Sequence, residues 1–279
     1  MNEGFDSRRS QILFYGFVAL FVLATLFPLI WIMKLSLISQ TELQASPPTL
    51  LPHSFSFSAY SRVFANRDFV HGIINSVVIA GITTIFCLVI GSVAAYALAR
   101  INFVFNKVVA SVILAIAFFP PVAIIAPLFL QFTKIGLVNT YWAMIFPDIL
   151  LSLPLTVYLL VAYFRELPRT IEEAAMVDGA TALQTFFRIT LPLSLPGVVT
   201  AGLLTFIFAW NEFLFANTFA FDTSTQPATV VIPNFAGQFT VDYGAQAAAS
   251  MIVTLPLVIL VFLFQRRIVS GLTAGATTG

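Results

Sequence analysis

Residues 72–99 read GIINSVVIAGITTIFCLVIGSVAAYALA, a run of 28 residues without a charged side chain between His71 and Arg100. A helix needs about 20 predominantly apolar residues to cross the hydrocarbon core of a bilayer. Because lipid offers no hydrogen bonds to backbone amides and carbonyls, such a run must cross as a helix. The stretch therefore predicts a membrane-spanning α-helix.

Five further runs are also long and predominantly apolar. They are residues 10–33, 108–133, 135–164 (interrupted once, by Asp148), 189–211 and 243–265. The sequence therefore predicts an all-α polytopic membrane protein with six transmembrane helices. We place these spans at residues 12–38, 72–99, 108–133, 139–164, 192–216 and 243–265.

The composition of the whole chain agrees with lipid as the solvent. Of its 279 residues, 59% are apolar and 9% are charged, whereas a soluble domain carries roughly 25% charged residues. A water-soluble fold of this size needs a polar shell that this chain does not have. Thirteen basic and twelve acidic residues leave a net charge of +1, which disfavours nucleic acid as a partner.

The distribution of Lys and Arg predicts the orientation in the membrane. With a cytoplasmic N-terminus, the inner segments hold nine of these residues and the outer segments hold four, as the positive-inside rule requires. Six spans then put both termini in the cytoplasm. The longer segments outside the membrane are the N-terminus 1–11, the outer loops 39–71 and 217–242, the cytoplasmic loop 165–191 and the tail 266–279.

Few residues of the chain have side chains that could carry catalysis or bind a metal. Cys87 is the one cysteine, and His53 and His71 have no ligand-like spacing. There is no G-x-x-x-x-G-K-[ST] motif, so we expect no ATP hydrolysis by this chain. We also expect no metal site and no bound cofactor.

Two acids lie at membrane depth, where ionisable groups are candidates for function. Asp148 follows Pro147, where we expect a helix break that it caps, and Glu212 lies near the outer end of its span. With Trp210 and Asn211 they are the candidate residues of a solute path. In the first outer loop, Ser58 before Tyr60, Val63 and Phe64 predicts a short capped surface helix.

The loop 165–191 is the most charged part of the chain, with seven charges among the 24 residues 165–188. Its pattern predicts two short helices. Thr170-Ile-Glu-Glu173 and Thr181-Ala-Leu-Gln184 have the spacing of capping boxes, and Gly179 between them suits the left-handed end of a helix. On the first helix, Ala174 and Ala175 are flanked by Glu172, Glu173 and Asp178, which predicts a docking surface for another protein.

The spacing of this loop resembles that of a known family. Glu173-Ala174-Ala175, then Gly179, Ile189 and Leu191-Pro192 match the EAA loop of binding-protein-dependent ABC importer permeases. Asn75-Ser76, Trp210-Asn211-Glu212-Phe213 and Gln265-Arg266-Arg267 extend the resemblance along the chain. The tail Gly271-Leu272-Thr273-Ala274-Gly275-Ala276 is similar to that of MalG-type subunits of maltose and trehalose importers, which favours the carbohydrate branch.

The resemblance implies a type I ABC importer permease in a bacterial inner membrane. Its EAA loop, with the matching residues above, would seat a coupling helix in a cleft of the ATPase subunit. The implied partners are a second, MalF-like permease subunit, two copies of an ATPase that bind ATP and Mg, and an extracytoplasmic sugar-binding protein. The loop 217–242 would reach toward that binding protein. The tail residues Gly271, Leu272, Thr273 and Gly275 would insert between the ATPase subunits.

Other classes of function stay open at this point. A secondary transporter or channel acting alone usually buries several ionisable groups, whereas here there are two acids and no internal repeat. An ABC permease for a non-sugar solute is a nearer alternative. An intramembrane enzyme is disfavoured, because neither a paired nucleophile and base nor an H-E-x-x-H motif is present.

Overall fold

The computed structural model describes residues 8–47, 49, 51–101, 103–237 and 241–274 of the chain. Most of these described residues are helical. The one strand-like pairing among them is an isolated bridge between Ala236 and Val241. The all-α fold class is confirmed.

The described part of the chain forms fourteen α-helices. They are α1 (Arg8–Leu37), α2 (Gln40–Leu43), α3 (Ser58–Ala65), α4 (Arg67–Arg100), α5 (Asn106–Ala117), α6 (Pro121–Lys134), α7 (Tyr141–Glu166), α8 (Arg169–Val177), α9 (Ala182–Thr185), α10 (Leu191–Leu193), α11 (Leu195–Trp210), α12 (Leu214–Phe219), α13 (Ala228–Val231) and α14 (Tyr243–Ala274). A π-helical turn (Phe186–Thr190) joins α9 to α10, and a 3-10 turn (Ile232–Phe235) follows α13.

Four of these helices, α1, α4, α7 and α14, are each long and apolar enough to cross a membrane. Two bent pairs complete the set of six if each pair counts as one span. In one pair α5 and α6 meet at 88°, and in the other the helical stretch Ala182–Leu193 meets α11 at 77°. The predicted number of six spans agrees with the structure when each bent pair is counted as one span.

The span predicted at 108–133 consists of two helices, because the chain turns between Ala117 and Pro121. Phe119 and Pro120 each precede a proline, and a proline ring disfavours the α conformation of the residue before it. Pro120 is extended, with ψ at 120°. Pro121 then begins α6, where its missing N–H costs no hydrogen bond.

Other predicted boundaries also move. The span predicted at 192–216 is the shorter helix α11, because the chain bends at Ser194, just before Leu195-Pro196. The helix break predicted at Pro147 is wrong, since α7 runs through it without interruption. The helix predicted to end at residue 265 continues as α14 to Ala274, so the predicted tail begins as helix.

One compact unit comprises Met1–Asn66 and Ile232–Thr254. Within it, Arg62 donates from Nε and Nη2 to the Asp242 carboxylate at 2.8 and 3.0 Å. The short helix predicted in this region is confirmed as α3. Ser58 is its first residue rather than its cap, because Phe57 occupies the capping position.

The second compact unit comprises Arg67–Val231 and Leu255–Gly279, and its core is formed by α4, α7 and α11. Leu98 of α4, Leu160 and Phe164 of α7 and Ala201 of α11 lie in one buried apolar cluster. A hydrogen bond also joins two of these helices, because Thr156 and Thr205 hold their hydroxyl oxygens 2.7 Å apart. The three helices therefore form one packed body.

The contact between α7 and α11 depends on a glycine. A Cβ built on Gly197 would lie 2.3 Å from Cγ of the Tyr163 ring, which is closer than carbon atoms can approach. The base of an aromatic ring cannot move aside as the end of a flexible side chain can. Gly197 therefore sets how closely the two helices pack.

We predict that Gly197→Ala destabilises the protein. Overpacking of this kind typically costs about 1–3 kcal/mol, so the midpoint of thermal denaturation in detergent should fall by several degrees. Gly81→Ala is the matched control, because a Cβ at Gly81 meets no atom within 4 Å and alanine favours the helix by about 0.5–1 kcal/mol. Equal midpoints for the two variants would contradict the close packing.

Candidate functional site

The segment 167–193 connects α7 to α11, and its first helix begins earlier than predicted. α8 starts at Arg169, directly after Pro168, and no side chain caps it. Thr170 lies inside the first turn, so it cannot take the extended conformation that a capping box requires. The predicted Thr170 box is wrong, because the Pro168 ring, with its fixed φ, starts the helix instead.

The turn after α8 has the predicted glycine geometry. Gly179 has φ of 87°, in the left-handed region that glycine adopts without steric cost. Its amide donates to the Met176 carbonyl at 3.1 Å, and the Ala180 amide donates to the Ala175 carbonyl at 3.0 Å. This pair of hydrogen bonds is a Schellman motif, which fixes the angle at which the chain leaves α8.

The second predicted capping box is confirmed. The Thr181 hydroxyl accepts from the Gln184 amide at 3.3 Å, and the Gln184 carboxamide oxygen accepts from the Thr181 amide at 2.9 Å. The helix that starts here reaches Leu193 through the π-helical turn. In that turn the Leu191 amide donates to the Phe186 carbonyl, five residues back.

A buried ion pair ties α8 to the core of its unit. Arg100, the last residue of α4, donates from Nε to Oε1 of Glu172 at 2.8 Å, and each side chain is 7% exposed. Nη2 of Arg100 also donates to the Leu167 carbonyl at 2.9 Å. Tyr96, one turn earlier on α4, donates its hydroxyl to Oε2 of Glu172 at 3.4 Å.

Aromatic rings hold the part of the segment after Gly179 against α4 and α7. The Tyr96 ring lies 4.9 Å from the Phe186 ring and 6.3 Å from the Phe164 ring, measured between centroids. Phe164 is fully buried, and Phe186 is buried with 3% exposure. The segment is therefore held on both sides of Gly179, by the ion pair before it and by the rings after it.

Tyr96 and Arg100 were not found by sequence reasoning. The signal available was that Arg100 ends an apolar run four residues after Tyr96, so both lie on one helix face. A single cation at the end of an apolar helix predicts an ion pair with one of the acids of the loop 165–191. Nothing in the sequence says which acid.

The predicted docking residues divide between two faces of α8. Glu172 and Ala175 are buried against their own unit, whereas Glu173, Ala174 and Asp178 are exposed. Exposed apolar side chains surround them, above all Val177 at 87% exposure. Others in the segment are Ile171, Met176, Leu183 and Phe187. An exposed apolar face at the edge of a packed helix is typical of a protein-binding surface.

Farther along the chain, Ile189 and Leu191 are half-buried and Pro192 is exposed. Leu191 packs against the apolar cluster of α4, α7 and α11. These three residues therefore lie between the exposed face of α8 and the spanning helix α11.

At the other end of α4, polar side chains hold the chain after α12. Asn75 donates to the Ser224 and Gln226 carbonyls at 3.0 and 2.9 Å, and the Ser76 hydroxyl accepts from the Ala228 amide at 2.9 Å. Asn139 accepts from the amides of two loop residues, 221 and 222. The first half of the loop 217–242 is thus an ordered structure.

The four candidate path residues have different surroundings. Asp148 is 0% exposed, and neither of its carboxylate oxygens has a hydrogen-bond partner among the described residues. Glu212 caps α12 by accepting from the amides of residues 215 and 216. Trp210 is buried and stacks on Phe206, while Asn211 is exposed.

Of the tail residues, Gly271, Leu272 and Thr273 belong to the last turn of α14. Gly275 lies outside the described residues.

Comparison with known proteins assigns the family. The sequence profile of the family described as "Binding-protein-dependent transport system inner membrane component" matches residues 87–273. The chain belongs to this family. The match includes Arg100 and the whole of the segment 167–193, so the ion pair and the exposed face of α8 lie in the part that the permease shares with its relatives.

Two relatives are similar to the chain over more than nine-tenths of its length. The permease is 41% identical over 91% of its length to the trehalose transport system permease protein SugB of Mycobacterium tuberculosis, covering 93% of that protein. It is 39% identical over 93% of its length to the trehalose/maltose transport system permease protein MalG of Thermococcus litoralis, covering 94% of it. This confirms the predicted MalG-type resemblance.

The solved structure confirms the predicted type I permease architecture. It belongs to a bacterial ABC transporter involved in the import of the acidic polysaccharide alginate. The permease matches it with a TM-score of 0.81 and 23% identity over 94% of its own length and 98% of that chain.

We predict that Arg100→Gln releases α8 from the core. Removal of one partner of a buried ion pair costs about 3–5 kcal/mol, because the remaining charge stays buried without compensation. Hydrogen exchange of the amides in Arg169–Val177 should become at least tenfold faster, while exchange in α11 changes much less.

The double variant Arg100→Gln/Glu172→Gln is the matched control. It removes both charges, so that neither stays buried without compensation, and it should recover part of the protection of α8. Unchanged exchange in the single variant would contradict the anchoring role of the pair.

Proposed function

We propose that this chain is a permease subunit of an ATP-driven sugar importer of the trehalose and maltose type. It would form the translocation path with a second, MalF-like permease subunit. The two relatives named above are trehalose and trehalose/maltose permeases that match more than nine-tenths of the chain. The structural observation that carries the proposal is the exposed face of α8, which projects from a helix held rigidly by Glu172 and Arg100.

The exposed face of α8 is the surface that would seat in the ATPase subunit. Glu173 and Asp178 would give it charge, and Ala174 would let a partner approach closely. Val177, exposed among these polar groups, would lose its contact with water on docking. Glu172 and Ala175 would act differently from the prediction, because their side chains face the permease and position the helix.

The contacts also suggest how ATP hydrolysis on two partner ATPase copies would move the membrane helices. A displacement of α8 would pass to α4 through the Arg100 ion pair. It would pass to α11 through Gly179, Ile189, Leu191 and Pro192. Because α4, α7 and α11 form one packed body, these helices would move as a rigid unit, which is a usual basis of alternating access.

The opposite side of the membrane would carry the solute. The ordered part of the loop 217–242 offers a fixed surface for an extracytoplasmic sugar-binding protein. Asn211 is the path candidate whose exposed side chain suits contact with a sugar hydroxyl. Asp148, Trp210 and Glu212 would shape the path indirectly, because the first two are buried and Glu212 caps α12.

Both termini of the chain would lie on the ATPase side of the membrane. The excess of Lys and Arg in the inner segments supports cytoplasmic termini in a bacterial inner membrane. The end of α14 and the residues after it would then reach the ATPase side, with Gly271, Leu272, Thr273 and Gly275 as contact residues. ATP and Mg would be bound by the partner ATPase subunits and not by this chain.

We predict that Glu173→Lys abolishes coupling without loss of the subunit from the membrane. A wrong charge at a docked interface costs several kcal/mol, so uptake of radiolabelled trehalose should fall at least about tenfold. Stimulation of the ATPase by the binding protein should fall with it. Asp68→Lys is the matched control, because it makes the same charge change at an exposed position of α4 and should leave both activities near wild type.

Two outcomes would contradict the proposal. Unchanged uptake in Glu173→Lys, with normal membrane abundance, would show that α8 does not couple to an ATPase. Uptake by the purified chain alone in liposomes would favour a stand-alone transporter. If the assembled importer takes up a non-sugar solute and not trehalose or maltose, the sugar part fails while the coupling part stands.

A further inference from the structure

Below the last turns of α4 and α7, a polar cleft opens at the point where their apolar runs end. It has a volume of about 730 Å³ and is bordered by the end of α4, the start of α5 and the chain between α7 and α8. Its charged lining residues are Arg100, Lys107, Arg165, Glu166 and Arg169. All belong to one compact unit.

The charges of this cleft do not cancel. Arg100 is neutralised by its ion pair with Glu172. Lys107, Arg165 and Arg169 are exposed, and none of them forms an ion pair among the residues that the structure describes. Three cations therefore face one carboxylate, Glu166, and the cleft attracts an anion.

An apolar cavity adjoins the basic cleft on its membrane side. It has a volume of about 420 Å³ and lies between α4, α5 and α7, with a lining that includes Ala110, Ile113 and Val157. Leu98, Arg165 and Glu166 line both spaces. The two spaces therefore meet where the apolar runs of α4 and α7 end, and we expect the hydrocarbon core to give way to the head-group region at that level.

We propose that the basic cleft and the apolar cavity together bind one anionic phospholipid. The phosphate of the head group would lie among Lys107, Arg165 and Arg169, and an acyl chain would enter the cavity between α5 and α7. A soluble anion would use the cleft and leave the cavity empty, whereas a lipid fits both. Basic pockets at the cytoplasmic ends of membrane helices are suited to such head groups.

The proposed lipid site adjoins the residues that lead into α8. Leu167, Pro168 and Arg169 line the cleft, and Leu167 is also held by Arg100. A bound head group would therefore contact the chain directly before α8. An anionic lipid would support the same position of α8 that the Glu172 ion pair holds.

The test compares two lipids on the purified full-length chain. After removal of native lipid, the chain is incubated with equal amounts of dioleoylphosphatidylglycerol and dioleoylphosphatidylcholine, and native mass spectrometry counts bound molecules of each. Each cation near the surface contributes about 1 kcal/mol to anionic lipid binding, or about fivefold in affinity. The wild-type chain should retain phosphatidylglycerol preferentially, and Lys107→Gln and Arg165→Gln should each lower that preference about fivefold.

Two controls separate the site from general surface charge. Lys134→Gln removes an exposed lysine outside the cleft and should leave the preference unchanged. Glu166→Gln removes the one opposing charge and should raise the preference. No preference in the wild-type chain, or an equal loss in Lys134→Gln, would overturn the proposal.

The cavity is tested separately. Ala110→Phe fills it and should reduce retention of phosphatidylglycerol, whereas Ala117→Phe makes the same change on α5 outside the cavity lining and should not. If Ala110→Phe has no effect and inorganic phosphate displaces the lipid, the site binds a soluble anion and the proposal fails. It also fails if the preference disappears in the importer assembled with its ATPase, because a protein then covers the cleft.

Discussion

The ion pair between Glu172 and Arg100 is the contact on which the rest of the candidate site depends. It joins the helix outside the membrane to the last residue of a spanning helix, and both side chains are almost fully buried. Two charges are expensive to bury, and the geometry offsets that cost only while both partners are present. The pair therefore fixes one position of α8 rather than adding much to the stability of the fold.

This constraint explains the arrangement around it. With Glu172 facing inward, the helix period turns Glu173, Ala174 and Val177 outward, where a partner can reach them. The turn at Gly179 directs the following residues toward α4, where Phe186 packs against the Tyr96 ring. The chain then continues to α11. In the proposed coupling, a displacement of the exposed face would thus reach both α4 and α11, which belong to one packed body.

The sequence predicted what depends on local chemistry and missed what depends on distant contacts. Long apolar runs predicted the number of spans, if each bent pair counts as one, but not their exact boundaries. Thr181 and Gly179 behave as local capping rules require. The Thr170 box failed because Pro168 starts the helix, and the division of α8 into two faces followed from Arg100, 72 residues away. No periodicity within the loop carries that information.

The most direct measurement is the distance between α8 and α4 in the assembled importer during its ATPase cycle. In a Cys87→Ser background, spin labels at Thr170→Cys and Val93→Cys report this distance by pulsed electron paramagnetic resonance, since both native side chains are exposed and neither belongs to the docking face of α8. If the ion pair makes α8 part of the rigid body, the distance distribution is the same with and without ATP. A shift of several ångströms on ATP binding would contradict the rigid coupling of α8 to α4.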